Sequence, residues 1–233
     1  MSTPSQPEAH MQMKLHAAQR ALQMVESGMT LGLGSGSTAT VWIKLLGERV
    51  RDHGLKIRAI ASSEDSELLG RSYGIPFVSF DECRTLDLTV DGADEIAPGL
   101  ALIKGGGGKL LREKIVASAS RRFVVVADAS KQVEKLGRFP LPVEVIPMAT
   151  PLVSDSLTKL GFHPAVRTDR GGKPYVTDEG NFILDCSGRV IEDPDATAAA
   201  IDSLVGVVEH GLFLHMADLA IIAGETQVIE RKA

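Results

Sequence analysis

Hydrophobic and polar residues alternate along the chain in blocks that predict helices and strands in turn. Between about residues 8 and 27, Leu15, Ala18, Leu22 and Val25 recur at spacings of three and four. This spacing places them on one face of an amphipathic helix. The TLGL run that follows is short and apolar, and a glycine turn separates it from the next helical pattern. The chain therefore opens with a predicted helix, strand and second helix.

The same alternation continues to about residue 137. Predicted helices at SSEDSELLGRSY, capped by Ser62 or Ser63, and at KLLREKIVASA stand between short apolar runs. The predicted strands are TLGL (30–33), IRAIA (57–61), IPFVSF (75–80), TLDLTV (85–90), ALI (101–103) and RFVVVAD (122–128). Nearly continuous apolar runs are typical of parallel strands that helices cover on both faces. We therefore predict an α/β fold, Rossmann-like and doubly wound, with a mostly parallel sheet.

The pattern changes near Arg138, where four prolines fall in FPLPVEVIPMATP. Beyond it the chain predicts a strand (VEVIPM), a helix (LVSDSLTKLG), a hairpin of YVT and NFILDC joined by DEGN, and a helix capped by Asp193. The late run ADLAIIAG predicts a buried strand that rejoins the first sheet. We therefore expect a smaller inserted α+β domain at 138–207 and a Rossmann-like catalytic domain formed by 1–137 and 208–233.

Composition and charge narrow the function classes. Twenty-five basic against thirty acidic residues give a net charge of −5, and aromatic residues make up only 4% of the chain. The negative net charge and the scarcity of aromatic residues both argue against nucleic acid as a main partner. The longest apolar runs fall far short of the ~20 residues of a membrane span, and the first residues carry no secretory signal pattern. Cys83 and Cys186 form no disulfide framework, so we expect a cytoplasmic protein without nucleic-acid or membrane partners.

Polar motifs follow four of the predicted strands. GSGST follows TLGL, DGADE follows TLDLTV, KGGGGK follows ALI, and DASK follows the FVVVA run. In an open α/β sheet, ligands bind outside the carboxyl ends of the strands. Four motifs at one such edge predict a single pocket.

The first motif, residues 34–38, leads from a strand into a helix. Its glycines let backbone amides approach a ligand, the helix start favours an anion, and Ser37 and Thr38 add hydroxyl donors. A phosphate monoester suits these donors, and a glycine turn with a Ser/Thr cap is the simpler alternative. No lysine follows as in a Walker A loop, and Ser37 stands where the dinucleotide motif has its third glycine.

The second motif places Asp91, Asp94 and Glu95 within five residues after an apolar strand. A solvated turn would use the same residues. The functional alternatives are hydroxyl recognition, proton transfer and metal binding. Metal is the weaker of these, because the six histidines are scattered and form no metal-ligand pair. We expect no metal and no cofactor.

The third motif, Lys104 followed by four glycines, predicts an anion-binding nest of successive amides beside a lysine. The next helix places Glu113 about one turn in, within reach of a ligand at the loop, although a solvated, paired carboxylate is an equal alternative. Lys131, in the fourth motif, is either a phosphate or hydroxyl contact or a surface charge. The GxSxG pattern at residues 70–74 is accidental, because a nucleophile elbow must leave a strand and enter a helix.

Taken in order, GLGSGST, SSED, DGADEI, KGGGG with LREKIVA, ADASK and FPLPVEVIPMA resemble the ribose-5-phosphate isomerase A family, from about Lys14 to Ala223. The resemblance implies a metal-independent enzyme of the pentose phosphate pathway that interconverts D-ribose 5-phosphate and D-ribulose 5-phosphate. It also implies a homodimer or homotetramer, with the insert as the oligomerisation domain.

The resemblance assigns residues as well. Glu113 would be the catalytic base, assisted by Asp91, Asp94 and Lys104. The implied substrate-binding residues are Lys14, Ser35, Gly36, Ser37, Thr38, Asp91, Gly92, Ala93, Asp94, Lys104, Gly105, Gly106, Gly107 and Lys131. Lys109 and Leu111 depart from the family pattern, which often has a small residue and a threonine there, so the helix start is more basic than usual. The TDRGGKPYVTDEG loop is longer than in some members.

Two other functions fit a similar fold. An amino-sugar phosphate deaminase/isomerase would act on a related substrate. A sugar-phosphate-sensing transcriptional regulator would carry a DNA-binding module ahead of the sensor, but the predicted sheet begins by residue 30, and the net charge is negative.

Overall fold

A computed structural model describes residues 6–224 and 228–232. Residues 1–5, 225–227 and 233 lie outside the described residues. The predicted catalytic domain includes these residues, and the predicted absence of a secretory signal concerns the first five of them. The helices of the described chain are α1 (Gln6–Leu22), α2 (Gly36–His53), α3 (Glu64–Ser72), α4 (Leu110–Ser118), α5 (Thr150–Lys159) and α6 (Pro194–Asp202). The strands are β1 (Thr30–Leu33), β2 (Arg58–Ala61), β3 (Leu88–Asp91), β4 (Glu95–Ile96), β5 (Leu102–Ile103), β6 (Phe123–Asp128), β7 (Leu141–Val145), β8 (His163–Val166), β9 (Phe182–Ser187), β10 (Val207–His210), β11 (Leu212–Phe213), β12 (Leu219–Ala223) and β13 (Val228–Lys232).

The chain divides into two compact units. The first unit consists of Met1–Ala93, Ile115–Lys131 and Met216–Ala233, and the second consists of Asp94–Lys114 and Gln132–His215. The predicted boundaries, near Arg138 and residue 208, differ from these. Residues 94–114 cluster with the second unit because their short strands pair there and not in the large sheet.

The first unit is built on the predicted parallel sheet, whose described strands lie in the order β13-β12-β6-β3-β1-β2. The strands from β12 to β2 pair in parallel, and β13 adds an antiparallel edge. All residues of β1, β3, β6 and β12 are buried, as expected for strands covered on both faces. The α/β fold and the return of the ADLAIIAG run to this sheet are confirmed.

The predicted IPFVSF strand forms only an isolated bridge, Phe77 to Ala59, beside the edge strand β2. The predicted cap of α3 is confirmed, because the Ser63 side chain accepts a hydrogen bond from the Ser66 N–H. Ser72 of the GxSxG pattern lies at the end of α3, so the expected absence of a strand before it agrees with the structure.

The second unit is α+β and antiparallel. One sheet of described strands has the order β10-β7-β9-β8, and another has the order β11-β5-β4. Helices α5 and α6 pack against the first of these through Val153, Leu157 and Ile201, around a core that includes Phe162 and Leu184. Asp193 caps α6 as predicted, and its side chain accepts from the Ala196 N–H.

The predictions of individual strands in the second unit were partly wrong. Residues 101–103 do not join the parallel sheet, because β5 follows β4 after a turn too short for a parallel crossover and therefore pairs antiparallel. The predicted YVT strand is absent from the described structure, and β9 pairs with β8 and β7 instead. DEGN is nevertheless a turn, closed by the Gly180 N–H donating to the Thr177 carbonyl. Among the described helices, none has the length and apolar character needed to span a membrane.

Candidate active site

The turn after β1, residues 34–38, is held by a buried carboxylate; we name it the serine turn. The Asp91 side chain is 1% exposed, and its Oδ1 accepts hydrogen bonds from the Ser35 N–H (2.9 Å) and the Gly92 N–H (2.7 Å). Hydrogen bonds to the charged form stabilise a carboxylate that burial alone would penalise. Asp91 therefore has a structural task, whatever else it does.

Gly34 is required by this arrangement. A Cβ at this position would lie 2.5 Å from the Asp91 Cα and 2.2 Å from its Oδ1, so any side chain collides with the last residue of β3. Ser66 adds a further support, because its hydroxyl donates to the Gly34 carbonyl at 2.7 Å. The sequence predicted that the glycines of this turn let backbone amides approach a ligand. At Gly34, the group that approaches closely is Asp91 of the protein itself.

The serine turn continues into the first residues of α2. Gly36 has a φ of +83°, Ser37 is exposed and Thr38 is buried. Lys14, on α1, donates from Nζ to the Ser37 Oγ at 3.0 Å. The structure therefore brings the lysine of the first helix to the hydroxyls at the start of α2, a helix end that favours anions.

Three of the four polar motifs lie at one edge of the parallel sheet. They follow β1, β3 and β6, which are neighbours in the strand order, so Gly92, Ala93 and Lys131 share the edge with the serine turn. Lys131 ends a short 3-10 turn and is half-buried. The remaining motif, Lys104 with its four glycines, follows β5 and belongs to the other unit, so the prediction that all four motifs follow strands of one sheet was wrong.

In the second unit, two buried charges of opposite sign face each other. The side chains of Lys104 and Glu113 are 3% and 5% exposed, and Lys104 Nζ lies 3.4 Å from Glu113 Oε2. The Lys104 ammonium also lies 5.4 Å from the centre of the buried Phe213 ring, a cation–π distance. A solvated carboxylate was the alternative for Glu113, and its burial removes that alternative.

Residues 104–108, the glycine turn, join β5 to α4. Gly106 and Gly107 are exposed, whereas Gly105 and Gly108 are buried and have φ values of +99° and +78°. The Gly106 N–H donates to Asp94 Oδ2 at 2.7 Å. The backbone is therefore open to a ligand at the two middle residues, and Asp94 lies beside it.

The three carboxylates of the DGADE motif have separate surroundings. Asp91 holds the serine turn and Asp94 contacts the glycine turn. Glu95 is fully buried, and its two oxygens accept from the Gly137 N–H at 2.8 Å and the Phe139 N–H at 2.6 Å. Glu95 is thus a structural anchor, which the sequence spacing alone did not reveal.

The basic start of α4 is balanced by the loop that follows β8. Lys109 Nζ lies 2.5 Å from Asp178 Oδ1, and Arg112 lies 2.5 Å from Glu179 and 3.6 Å from Asp178. The buried Glu144 fixes this loop by accepting from Thr177 Oγ1 (2.8 Å). The departure from the family pattern at Lys109 is therefore compensated locally, which lowers its effect on the potential at Glu113.

Some residues beside the glycine turn were not predicted. Arg167 donates to the carbonyls of Gly105 and Gly106, and a Cβ on Gly108 would lie 2.6 Å from the Tyr175 ring. Phe213 contacts the ammonium groups of Lys104 and Lys114. These residues are far from the glycine turn in sequence, and no local motif marks them.

Asp202, Glu209 and His210 form a cluster with metal-like spacing among the described residues. The Glu209 carboxylate already holds the Lys114 ammonium at 2.5 Å. His210 Nδ1 accepts the Leu212 N–H at 3.2 Å, so in neutral His210 the proton sits on Nε2, facing Asp202 at 3.2 Å. A metal on Nε2 would force a proton onto Nδ1 against a backbone donor, which disfavours metal binding.

The surroundings of this cluster shift the pKa values of Lys114 and His210. Burial lowers the pKa of Lys114, although the neighbouring Glu209 opposes the shift. Burial, and secondly the Lys114 ammonium, lower the pKa of His210 below its ordinary value. His210 is therefore held neutral, next to the Gly211 carbonyl that accepts the Lys104 N–H at 2.9 Å.

The chemistry available in the second unit is proton transfer beside an anion-binding turn. A buried carboxylate can take and return a proton, and an adjacent ammonium with exposed backbone amides can stabilise negative charge on oxygen. In the first unit, a helix start with hydroxyls and lysines suits a phosphate group.

The chain is similar to known proteins both in sequence and in fold. A family model described as ribose 5-phosphate isomerase A (phosphoriboisomerase A) matches residues 58–227. A ribose-5-phosphate isomerase A from Roseiflexus castenholzii is 54% identical over 216 residues, covering 92% of each sequence. The structure of ribose 5-phosphate isomerase A from Methanocaldococcus jannaschii matches with a TM-score of 0.92 and 40% identity, over 96% of this chain and 100% of that one. A D-ribose-5-phosphate isomerase in complex with phospho-erythronic acid matches with a TM-score of 0.93 and 36% identity, over 96% and 99% of the two chains.

Proposed function

Because the chain belongs to the ribose 5-phosphate isomerase A family, we propose that it interconverts D-ribose 5-phosphate and D-ribulose 5-phosphate. This is an aldose–ketose isomerisation within the non-oxidative pentose phosphate pathway. The observation that carries the proposal is the buried Glu113 carboxylate, which lies 3.4 Å from the ammonium of Lys104, the first residue of the glycine turn.

Glu113 acts as the base. Its carboxylate removes the C2 proton of the open-chain aldose, the C–H electron pair becomes the C1–C2 double bond, and the carbonyl pair moves onto O1. The O2 hydroxyl proton passes to O1, Glu113 returns its proton to C1, and a ketone remains at C2. A positioned acid–base group of this kind contributes about 10²–10⁴-fold.

Lys104 and the glycine-turn amides stabilise the charge that develops on the enediolate oxygen. Donors fixed before the reaction favour the transition state over the ground state, because they need no reorganisation. Asp91 and Asp94 bind sugar hydroxyls and assist ring opening or the hydroxyl proton transfer. The support for Asp94 is its contact with the Gly106 amide.

The phosphate is bound by the serine turn, with Ser35, Gly36, Ser37 and Thr38, and by lysines. Lys14 is supported by its hydrogen bond to Ser37, and Lys131 by its place at the end of β6. The phosphate does not change during the reaction, so it supplies binding energy that orients the sugar.

The remaining elements of the proposal follow from the resemblance. The enzyme is metal-independent, needs no cofactor, is cytoplasmic and forms a homodimer or homotetramer through the predicted insert. The exposed side chains of Met148, Leu152 and Val205 in the second unit support self-association there.

The test is an assay that follows ribulose 5-phosphate formation by absorbance, with and without exhaustive EDTA treatment. We expect turnover of ribose 5-phosphate, little turnover of glucosamine 6-phosphate, and no loss with chelator. Preference for glucosamine 6-phosphate would indicate an amino-sugar phosphate enzyme. Activity lost with EDTA and restored by Mg²⁺ or Zn²⁺ would contradict metal independence.

A further inference from the structure

Arg167 lies directly after β8, where both of its backbone groups are fixed. Its N–H donates to the Ile183 carbonyl, and its carbonyl accepts the Tyr175 N–H, both at 2.8 Å. Its guanidinium makes a two-pronged ion pair with Asp185 on β9, with Nε to Oδ2 at 2.9 Å and Nη2 to Oδ1 at 2.5 Å. The side chain is only 14% exposed, so this pair fixes the plane of the guanidinium.

The remaining nitrogen of Arg167 contacts the glycine turn. Nη1 donates to the Gly105 carbonyl at 2.9 Å and to the Gly106 carbonyl at 3.2 Å. A single fixed donor therefore holds two consecutive carbonyls in a segment without side chains. Successive glycines have the greatest backbone freedom of any residues, so such a segment needs an external constraint to keep one conformation.

The constraint also decides where the amides point. In a trans peptide, the C=O and the following N–H point in opposite directions. The Gly105 carbonyl is bound to Arg167, and the N–H of the same peptide, on Gly106, donates to Asp94 on the other side. Holding the Gly106 carbonyl in the same way directs the Gly107 N–H away from Arg167.

We propose that Arg167, oriented by Asp185, is a positioning residue that keeps the Gly107 amide directed at the substrate's developing oxyanion, while the Gly106 amide stays bound to Asp94. The inference rests on the proposed isomerase function and adds to it a residue that does not touch the substrate. Its charge is matched by Asp185, so its contribution is orientation and not attraction of the anion. Lysine cannot replace it, because an ammonium has no rigid fork that binds a carboxylate and two carbonyls together.

The experiment compares Arg167→Ala, Arg167→Lys and Arg189→Ala by steady-state kinetics, by calorimetric binding of phospho-erythronic acid and inorganic phosphate, and by thermal melting. Arg189 is the matched control, because in the same unit it donates to the Leu160 carbonyl and stacks on Phe162. For both Arg167 variants we expect kcat to fall by about 10–100-fold, the size of effect that misplacement of a reacting geometry produces. KM and phosphate affinity should change less than about threefold, well under the tenfold of 1.4 kcal/mol.

Phospho-erythronic acid binding separates orientation from general stability. Its carboxylate carries negative charge near the position of the enediolate oxygens, so the Arg167 variants should lose about as much affinity for it as they lose in kcat. Arg189→Ala should lower the melting temperature and leave kcat and both affinities unchanged. Equal kinetic losses in all three variants, or full activity in Arg167→Lys, would overturn the positioning role. An inactive wild-type enzyme would instead overturn the proposed function, since the comparison of variants presupposes turnover.

Discussion

The serine turn is held by a carboxylate, whereas the glycine turn is held by a guanidinium. Asp91 accepts from two backbone amides, and Arg167 donates to two backbone carbonyls. The two supports have opposite consequences for a ligand. A carboxylate uses amide donors that an anion would otherwise bind, whereas a guanidinium uses carbonyls and leaves the amides of the same peptides on the other side. On that side of the glycine turn, the Gly106 amide binds Asp94, and the Gly107 amide faces away from Arg167.

This difference matches the two proposed tasks. A phosphate monoester keeps its charge throughout the reaction and can be bound by helix-start amides, hydroxyls and lysines together. An enediolate oxygen is charged only transiently, and donors aimed at it must already be oriented when the charge appears. The two turns, which contain two and four glycines, are thus held in ways that suit the proposed static charge of a phosphate and the proposed transient charge of an enediolate, respectively.

The largest expected effect is that of Glu113→Gln, which removes the base and keeps the shape. We expect kcat to fall by about 10²–10⁴-fold, because acid–base catalysis is lost, with little change in phospho-erythronic acid affinity. Steady-state kinetics and calorimetry measure the two quantities. Glu192→Gln, at an exposed position, is the control and should be fully active. Retention of more than about a tenth of kcat would contradict the assignment of Glu113.

The second prediction separates the two turns directly. Lys104→Ala should mainly lower kcat, by about 10²–10³-fold as for other oxyanion donors, whereas Thr38→Ala should mainly raise KM. A hydroxamate of a four-carbon phosphosugar acid, which mimics the enediolate, should lose more affinity than the substrate when Lys104 is removed. Equal losses for mimic and substrate would mean that Lys104 binds phosphate and that the two turns exchange roles.

The third prediction concerns stability. Gly34→Ala places a Cβ 2.5 Å from the Asp91 Cα, so we expect it to destabilise the fold by about 1–3 kcal/mol, as overpacking does. Gly107→Ala meets no described heavy atom within 4 Å and should stay within about 0.5 kcal/mol of the wild type. Chemical denaturation of the two variants measures both values. Comparable losses at the two positions would show that the turns have the same steric limits.

The smallest expected effect is the pH dependence of stability that arises from His210. This residue precedes Gly211, whose carbonyl accepts the Lys104 N–H. Burial and the Lys114 ammonium keep the pKa of His210 below its ordinary 6.5 in the folded state, while Glu209 and Asp202 oppose this shift. The unfolded chain therefore binds the extra proton first, so stability is complete above pH 6.5 and falls as the pH drops through that value. One such proton gives a slope of at most about 1.4 kcal/mol per pH unit.

His210→Asn keeps an acceptor for the Leu212 N–H and removes the titration. The unfolding free energy of this variant, measured by urea denaturation at pH 7.5 and 5.5, should decrease less than that of the wild type. Identical pH dependence in the two proteins would show that His210 titrates alike in the folded and unfolded states.

Local residue patterns were enough to predict the parallel sheet, its buried strands and the positions of the glycine-rich turns. Periodicity is local, so α2, α3, α6 and the apolar β6 were readable from adjacent residues. The caps Ser63 and Asp193 were likewise visible, because a cap acts within one helical turn. The motifs, taken in their order along the chain, also indicated the family.

The partners that hold those motifs could be identified only in the folded chain. Arg167 lies about sixty residues from the glycine turn that it binds, and Asp178 is 69 residues from Lys109. The same limit hid the pairing of β5, because a two-residue strand shows no periodicity and its partner β11 lies far along the chain. Spacing along a chain constrains groups within a turn or two, whereas contacts between distant segments depend on packing. For that reason the sequence revealed the chemical groups of the candidate site, and the structure revealed what orients them.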